Sequence, residues 1–321
     1  MKATERYFTP VKNSDQYQDL GIGSSAAAAK QRFINRDGSF NVVRRGLPYW
    51  LGVSPYHAML TMSWWRFNII IIALYVLVNL FFASLYMLVG MEHLGGTIAH
   101  TPFERFFEAF FFSAQTFTTV GYGRINPIGM TASSIAALES MVGLLAFALA
   151  TGLLYGRFSR PTARILFSDN AVIAPYKAIK GFMFRIANAR SNQIIEVEVQ
   201  VTLSRNELDD HGKTVRKFYT LELERQKVVF FHLSWTIVHP IDEASPLYGW
   251  TKADLDASEA EFLILFKGFD DTFSQTVHAR GSYKHFEVLE NRKFAHIITI
   301  AQSGVPEIDL DRIHDVEEAG L

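Results

Sequence analysis

The stretch Thr118-Thr119-Val120-Gly121-Tyr122-Gly123 can do chemistry without an acid, a base or a nucleophile. Its two glycines can take backbone conformations closed to other residues. What such a loop offers is its carbonyl oxygens, which can stand in for the water shell of a dehydrated cation. A bare Gly-x-Gly would fit equally well with a tight turn in which glycine serves geometry alone. The surroundings decide between the two. Immediately ahead lies a densely aromatic segment, residues 103–117, opened by Thr101-Pro102 with Glu104 at its N-terminal end, all helix-start features. It is too short to cross a bilayer and sits between two long apolar runs, so it reads as a re-entrant helix.

The first run, Trp64 to Gly90, has only Arg66, Asn68 and Asn79 as polar interruptions, and the second, Ile128 to Tyr155, has Glu139 as its single charge. Each exceeds the roughly twenty residues needed to span hydrocarbon. Soluble helices this long carry a polar face, which these lack. Irregular backbone at membrane depth is tolerated only where it is buried in protein or lines a water-filled path. Ser54-Pro55 starts a further short helix, 54–63, whose Tyr56, Met59 and Leu60 share one side. It is either an amphipathic helix in the membrane interface or a simple connector. Arg44, Arg45 and Arg66 flank the first run, and Arg157, Arg160 and Arg164 follow the second. The positive-inside rule therefore places both termini in the cytoplasm.

Residues 1–45 are polar and without sustained period, the pattern of a flexible tail. Beyond Arg164, Ile195, Val197, Val199, Val201 and Leu203 alternate with polar residues, as do Tyr219, Leu221 and Leu223. Such short alternating runs between turn residues predict an antiparallel β-sandwich over 161–321.

With 31 Lys and Arg against 32 Asp and Glu in 321 residues, the net charge is −1, which offers no basic face for nucleic acid. The absence of cysteine excludes disulfides and thiolate chemistry. Neither a His-Glu-x-x-His nor a Gly-x-Ser-x-Gly pattern occurs, so an enzyme reading has no site to rest on. An arginine-rich span that could sense voltage is also missing.

Thr119-Val120-Gly121-Tyr122-Gly123 resembles the known potassium-filter signature, which implies potassium as the cation. The resemblance extends from about Ser54 to Asp309. It includes Arg157-Phe158-Ser159-Arg160-Pro161, Phe167-Ser168, Arg185-Ile186-Ala187-Asn188-Ala189-Arg190 and the run from Ile237 to Tyr248. The chain resembles prokaryotic inward-rectifier potassium channels of the KirBac type.

That resemblance implies a homotetramer in the inner cell membrane: a pore domain, 46–160, with outer helix 64–90, pore helix 103–117, filter 118–123 and inner helix 130–158. A cytoplasmic immunoglobulin-like sandwich follows. Potassium ions would sit at the carbonyls of Thr119, Val120, Gly121 and Tyr122, with no organic cofactor. Gly143, Phe147, Thr151 and Tyr155, spaced by four, share a face that either lines the pore or packs on a neighbouring helix. The resemblance selects the pore, with Phe147 and Thr151 in the cavity, Tyr155 at the gate, and Gly143 and Gly152 as hinges. Arg157, Arg160 and Arg164 serve either as topology determinants or as an anionic-lipid site, the resemblance favouring phosphoinositides. Glu196 matches an acidic position of the cytoplasmic pore. Phe147 and Lys267 stand where strongly rectifying relatives carry acids, which implies weak block by magnesium or polyamines. Gln115 replaces a glutamate that many relatives hold behind the filter. The reading from another class is a membrane receptor that keeps the pore fold without conducting.

Overall fold

The computed structural model describes residues 32–41, 46, 54–159, 163–208, 211–231, 233–300 and 302–319. They belong to two compact units, Arg45–Arg160 and Met1–Arg44 with Pro161–Leu321.

In the first unit, Ser54 caps helix α1 (Pro55–Thr61) by accepting from His57 N, with proline at the first helical position. Helix α2 (Trp64–Val89) and helix α4 (Gly129–Phe158) are long and apolar enough to cross a membrane. At about 1.5 Å per residue they run roughly 39 and 45 Å. Between them lies α3 (Pro102–Phe117), which opens with a full capping box: Glu104 N donates to Thr101 Oγ1, and Thr101 N donates back to the Glu104 carboxylate. Its buried face, Ala109 and Phe112, packs with Phe82, Ala83, Tyr86, Leu94 and Ile125. A two-residue ladder joins β1 (Leu94–Gly95) to β2 (Asn126–Pro127), so the segment entering α3 is tied to the one leaving the filter. Gly96 completes that joint. A Cβ there would lie 1.8 Å from the Arg124 carbonyl, so only glycine lets the two backbones approach.

The second unit is all-β, two five-stranded sheets around one core. One sheet holds β6 (Ile194–Leu208), β7 (Thr214–Leu221), β8 (Lys227–Phe231), β10 (Glu261–Asp270) and β11 (Gln275–Lys284). The other holds β3 (Ile165–Phe167), β4 (Ala171–Tyr176), β5 (Ile179–Asn188), β9 (Ser234–Ile241) and β12 (Val288–Glu290). Phe182 of one stacks on Phe262 of the other, ring centroids 4.0 Å apart.

The alternation expected along β6 holds from Val197 to Leu203 but fails at Ile195. Ile194 is the buried residue and Ile195 is only half-buried. The cause is a bulge: Glu196 has φ +50°, and the pairing of β6 with β10 shifts between Lys267 and Phe269. One extra residue reverses which side chains face the core.

Residues 32–41, assigned above to a flexible tail, are ordered against this unit. Phe33 and Ile34 are buried beside Phe218 and Leu263. Phe33 N donates to the Glu261 carboxylate at 3.0 Å, and Ser282 Oγ donates to the Ile34 carbonyl at 2.7 Å. Arg36 pairs with Glu287 at 2.7 Å, and Arg32 pairs with the same carboxylate. A burst of two apolar residues in a polar stretch is too short to show a period, which hid this anchor. The rest of the expected tail, with Arg44 and Arg45, lies outside the described residues.

Candidate functional site

The candidate filter loop, 118–123, hangs from the last turn of α3, where helix carbonyls have no intrahelical partner. Thr118 donates to the Ala114 carbonyl through both its N–H and its hydroxyl, at 3.2 and 2.7 Å. Thr119 N donates to the Thr116 carbonyl at 3.0 Å, and Val120 N and Gly121 N share the Gln115 carbonyl at 2.9 and 3.2 Å. The helix end thus takes the N–H groups of Thr118 to Gly121. Among the described residues, no donor reaches the carbonyls of Thr118 to Gly123. Positive φ recurs at every second position: Thr119 (59°), Gly121 (52°) and Gly123 (81°). That rhythm breaks the strand alternation that would send successive carbonyls to opposite sides. For β-branched Thr119 it costs conformational energy, which structural sites hold only when their surroundings enforce it.

The far end of the loop is held by Arg124, whose guanidinium donates to Glu108 at 3.1 Å and to the Gly96 carbonyl at 3.1 Å. Glu108, on α3, also accepts from Ile98 N and Ala99 N. The loop 118–123, α3 and the segment before it are therefore cross-linked at both ends of the loop.

Behind α3 lies a polar network whose function sequence reasoning missed. Glu139 of α4, Ser113 of α3 and Asn79 of α2 are fully buried, and Tyr86 of α2 is nearly so. Tyr86 donates to Glu139 Oε2 at 2.7 Å, Ser113 Oγ meets Glu139 Oε1 and Asn79 Oδ1 (2.9 Å), and Asn79 Nδ2 donates to the Tyr75 carbonyl at 2.7 Å. The signal was present: an acid and an amide in apolar spans are costly there and need partners. One chain in linear form does not show which partners.

Helix α4 runs unbroken through Gly143 and Gly152. Gly143 is packed against the end of α3, where a Cβ would stand 2.0 Å from the Phe117 carbonyl, whereas Gly152 has nothing within 4 Å. Phe147 and Tyr155 are each 74% exposed in the single chain, and Thr151 between them is exposed too. Gly143 is buried and brought together with the end of α3, whereas Phe147, Thr151 and Tyr155 are exposed along α4.

Arg157 donates to the carbonyls of Met59 (2.5 Å) and Met62 (2.7 Å) at the end of α1, and lies 4.5 and 4.7 Å from the rings of Trp64 and Phe67. Arg160 lies outside the described residues, and Arg164, in the β unit, is exposed. Glu196 is exposed at the bulge of β6, and Lys267 is exposed on the adjoining strand β10.

Comparison with known proteins adds the family. Residues 69–160 match the family described as "Ion channel", and residues 165–320 match "Inward rectifier potassium channel C-terminal domain". The chain is 40% identical over 298 residues to "Inward rectifier potassium channel Kirbac3.1" of Paramagnetospirillum magnetotacticum, covering 92% of this chain and 99% of that one. It is 27% identical over 314 residues to "G protein-activated inward rectifier potassium channel 2" of Rattus norvegicus, covering 90% and 72%. A match at that identity over nearly all of both chains, with both family models in succession along the sequence, places this chain in the inward rectifier potassium channel family.

Proposed function

We propose that this chain is one of four identical subunits of a potassium-selective channel in the inner cell membrane, with both termini cytoplasmic. The observation that carries the reading is the filter loop, where α3 takes the N–H groups of Thr118 to Gly121 and no backbone donor among the described residues reaches the carbonyls. One loop covers one side of an ion. Four around an axis give rings of oxygens from Thr119, Val120, Gly121 and Tyr122 that replace its hydration shell. The exposed apolar surfaces of α2 and α4, Leu77 and Leu144 among them, fit a helix that meets lipid or neighbouring subunits.

Phe147 and Thr151 line the cavity in this reading, and Tyr155 closes the cytoplasmic end by dewetting. Gly152, with open space around it, suits a bending point, while the contact of Gly143 favours a fixed joint. Anionic headgroups, phosphoinositides included, bind at Arg160 and Arg164, and at Arg157 where they displace its bonds to Met59 and Met62. Glu196 lines a cytoplasmic pore through an immunoglobulin-like sandwich, where magnesium or polyamines block weakly.

The test is rubidium-86 uptake into liposomes holding purified tetramer, with barium in a parallel sample. Barium-sensitive uptake that potassium competes and sodium does not is the expected result. No uptake under any lipid condition would sink the conducting reading.

A further inference from the structure

We propose that Glu139 is an uncharged carboxylic acid that positions the selectivity filter by bridging the inner helix to the pore helix and the outer helix. The geometry fixes its place. Glu139 and Gly143 are one turn apart on α4, and both meet the last turns of α3: Glu139 through Ser113, Gly143 through the Phe117 carbonyl. Two residues beyond Ser113 stands Gln115, whose carbonyl accepts from Val120 N and Gly121 N. The bridge is therefore one short, rigid step from the loop that binds ions.

The proton count assigns the uncharged form. Ser113 has a single hydroxyl hydrogen, yet its oxygen lies within bonding reach of two acceptors, Asn79 Oδ1 and Glu139 Oε1. Asn79 cannot supply the missing hydrogen, because its amide nitrogen donates to the Tyr75 carbonyl and so turns Oδ1 toward Ser113. The count closes when the Glu139 carboxyl carries a proton and donates it to Ser113 Oγ, while Ser113 donates to Asn79. The second Glu139 oxygen then accepts from Tyr86. Both carboxyl partners are hydroxyls, and a buried carboxylate without a cation would be far more costly than the neutral acid.

An amide reproduces this pattern, since glutamine donates through its nitrogen and accepts through its oxygen. Glu139→Gln and Glu139→Ala tetramers, checked by size exclusion, are compared with wild type in the rubidium assay for rubidium-over-sodium preference and barium block. The proposal rests on the filter reading, for which barium-sensitive wild-type uptake is the separate control. Glu139→Gln is expected to match wild type. Glu139→Ala is expected to lose about tenfold or more of its preference, the scale of one buried hydrogen bond left unmade. An unchanged preference in tetrameric Glu139→Ala overturns the positioning role. A Glu139→Gln as impaired as Glu139→Ala overturns the uncharged assignment. Should Glu139→Ala not assemble, Ser113→Ala and Tyr86→Phe each remove one hydroxyl, and unchanged preference in both overturns the bridge. Independently, infrared spectra of the wild type should contain a protonated-carboxyl carbonyl band that Glu139→Gln lacks. Its absence from wild type overturns the assignment.

Discussion

Gly143 of the inner helix lies against the backbone carbonyl of Phe117, so close that a Cβ at Gly143 would stand 2.0 Å from that oxygen. Helix α4 is thereby fitted to the end of α3, where the loop 118–123 begins. Gly143→Ala should force the two helices apart and cost about 1–3 kcal/mol, the usual range for overpacking. Gly152→Ala meets open space and should gain up to about 1 kcal/mol from helix propensity. Thermal melting of the two variants in detergent checks this. Equal melting points would refute the contact as the reason for glycine at 143.

The exposed stripe of Phe147, Thr151 and Tyr155 leads to an opposite expectation for flux. If Tyr155 closes the cytoplasmic end by excluding water, Tyr155→Ser should wet the constriction and raise rubidium uptake several-fold without changing ion preference. Uptake at or below wild type, from intact tetramer, removes Tyr155 from the gate.

Arg157 has a structural task whatever it does for lipid. Its two nitrogens hold the Met59 and Met62 carbonyls, and its plane lies near Trp64 and Phe67. Lysine keeps the charge but cannot bridge two carbonyls with a planar fork. Arg157→Lys should therefore lower stability by about 1–3 kcal/mol, the cost of a lost charge-assisted hydrogen bond. Arg164→Lys should leave stability unchanged. A neutral Arg157→Lys would leave charge alone as its role.

His239 makes the β unit sensitive to acid. Burial lowers its pKa below the ordinary 6.5, outweighing the opposing bond to the Glu222 carbonyl. The neutral ring donates from Nδ1 to that carbonyl (2.5 Å) and accepts from Ser245 at Nε2 (2.7 Å). Because the folded state holds its proton less tightly than the unfolded chain, this contribution is complete above about pH 6.5 and is lost as pH falls toward the folded value. Urea unfolding at pH 7.5 and 5.5 should show the loss in wild type and a smaller one in His239→Gln. An identical pH dependence in the variant would place the sensitivity elsewhere.

By itself the sequence determined the elements whose cause is local. Two apolar runs longer than a bilayer, a capping box at Thr101 and Glu104, and glycines at 121 and 123 each act within a few residues, so order along the chain suffices to read them. The strand period of β6 was legible for the same reason, up to the bulge at Glu196, where one extra residue reversed it. Only the tertiary structure decided which groups meet. Asn79, Tyr86, Ser113 and Glu139 are spread over sixty residues and three helices, and burial made them satisfy one another. The anchor of Phe33 and Ile34 on strands far along the chain is likewise a matter of complementary surfaces. A buried polar group must find a partner, but the sequence states only the need, and folding supplies the partner.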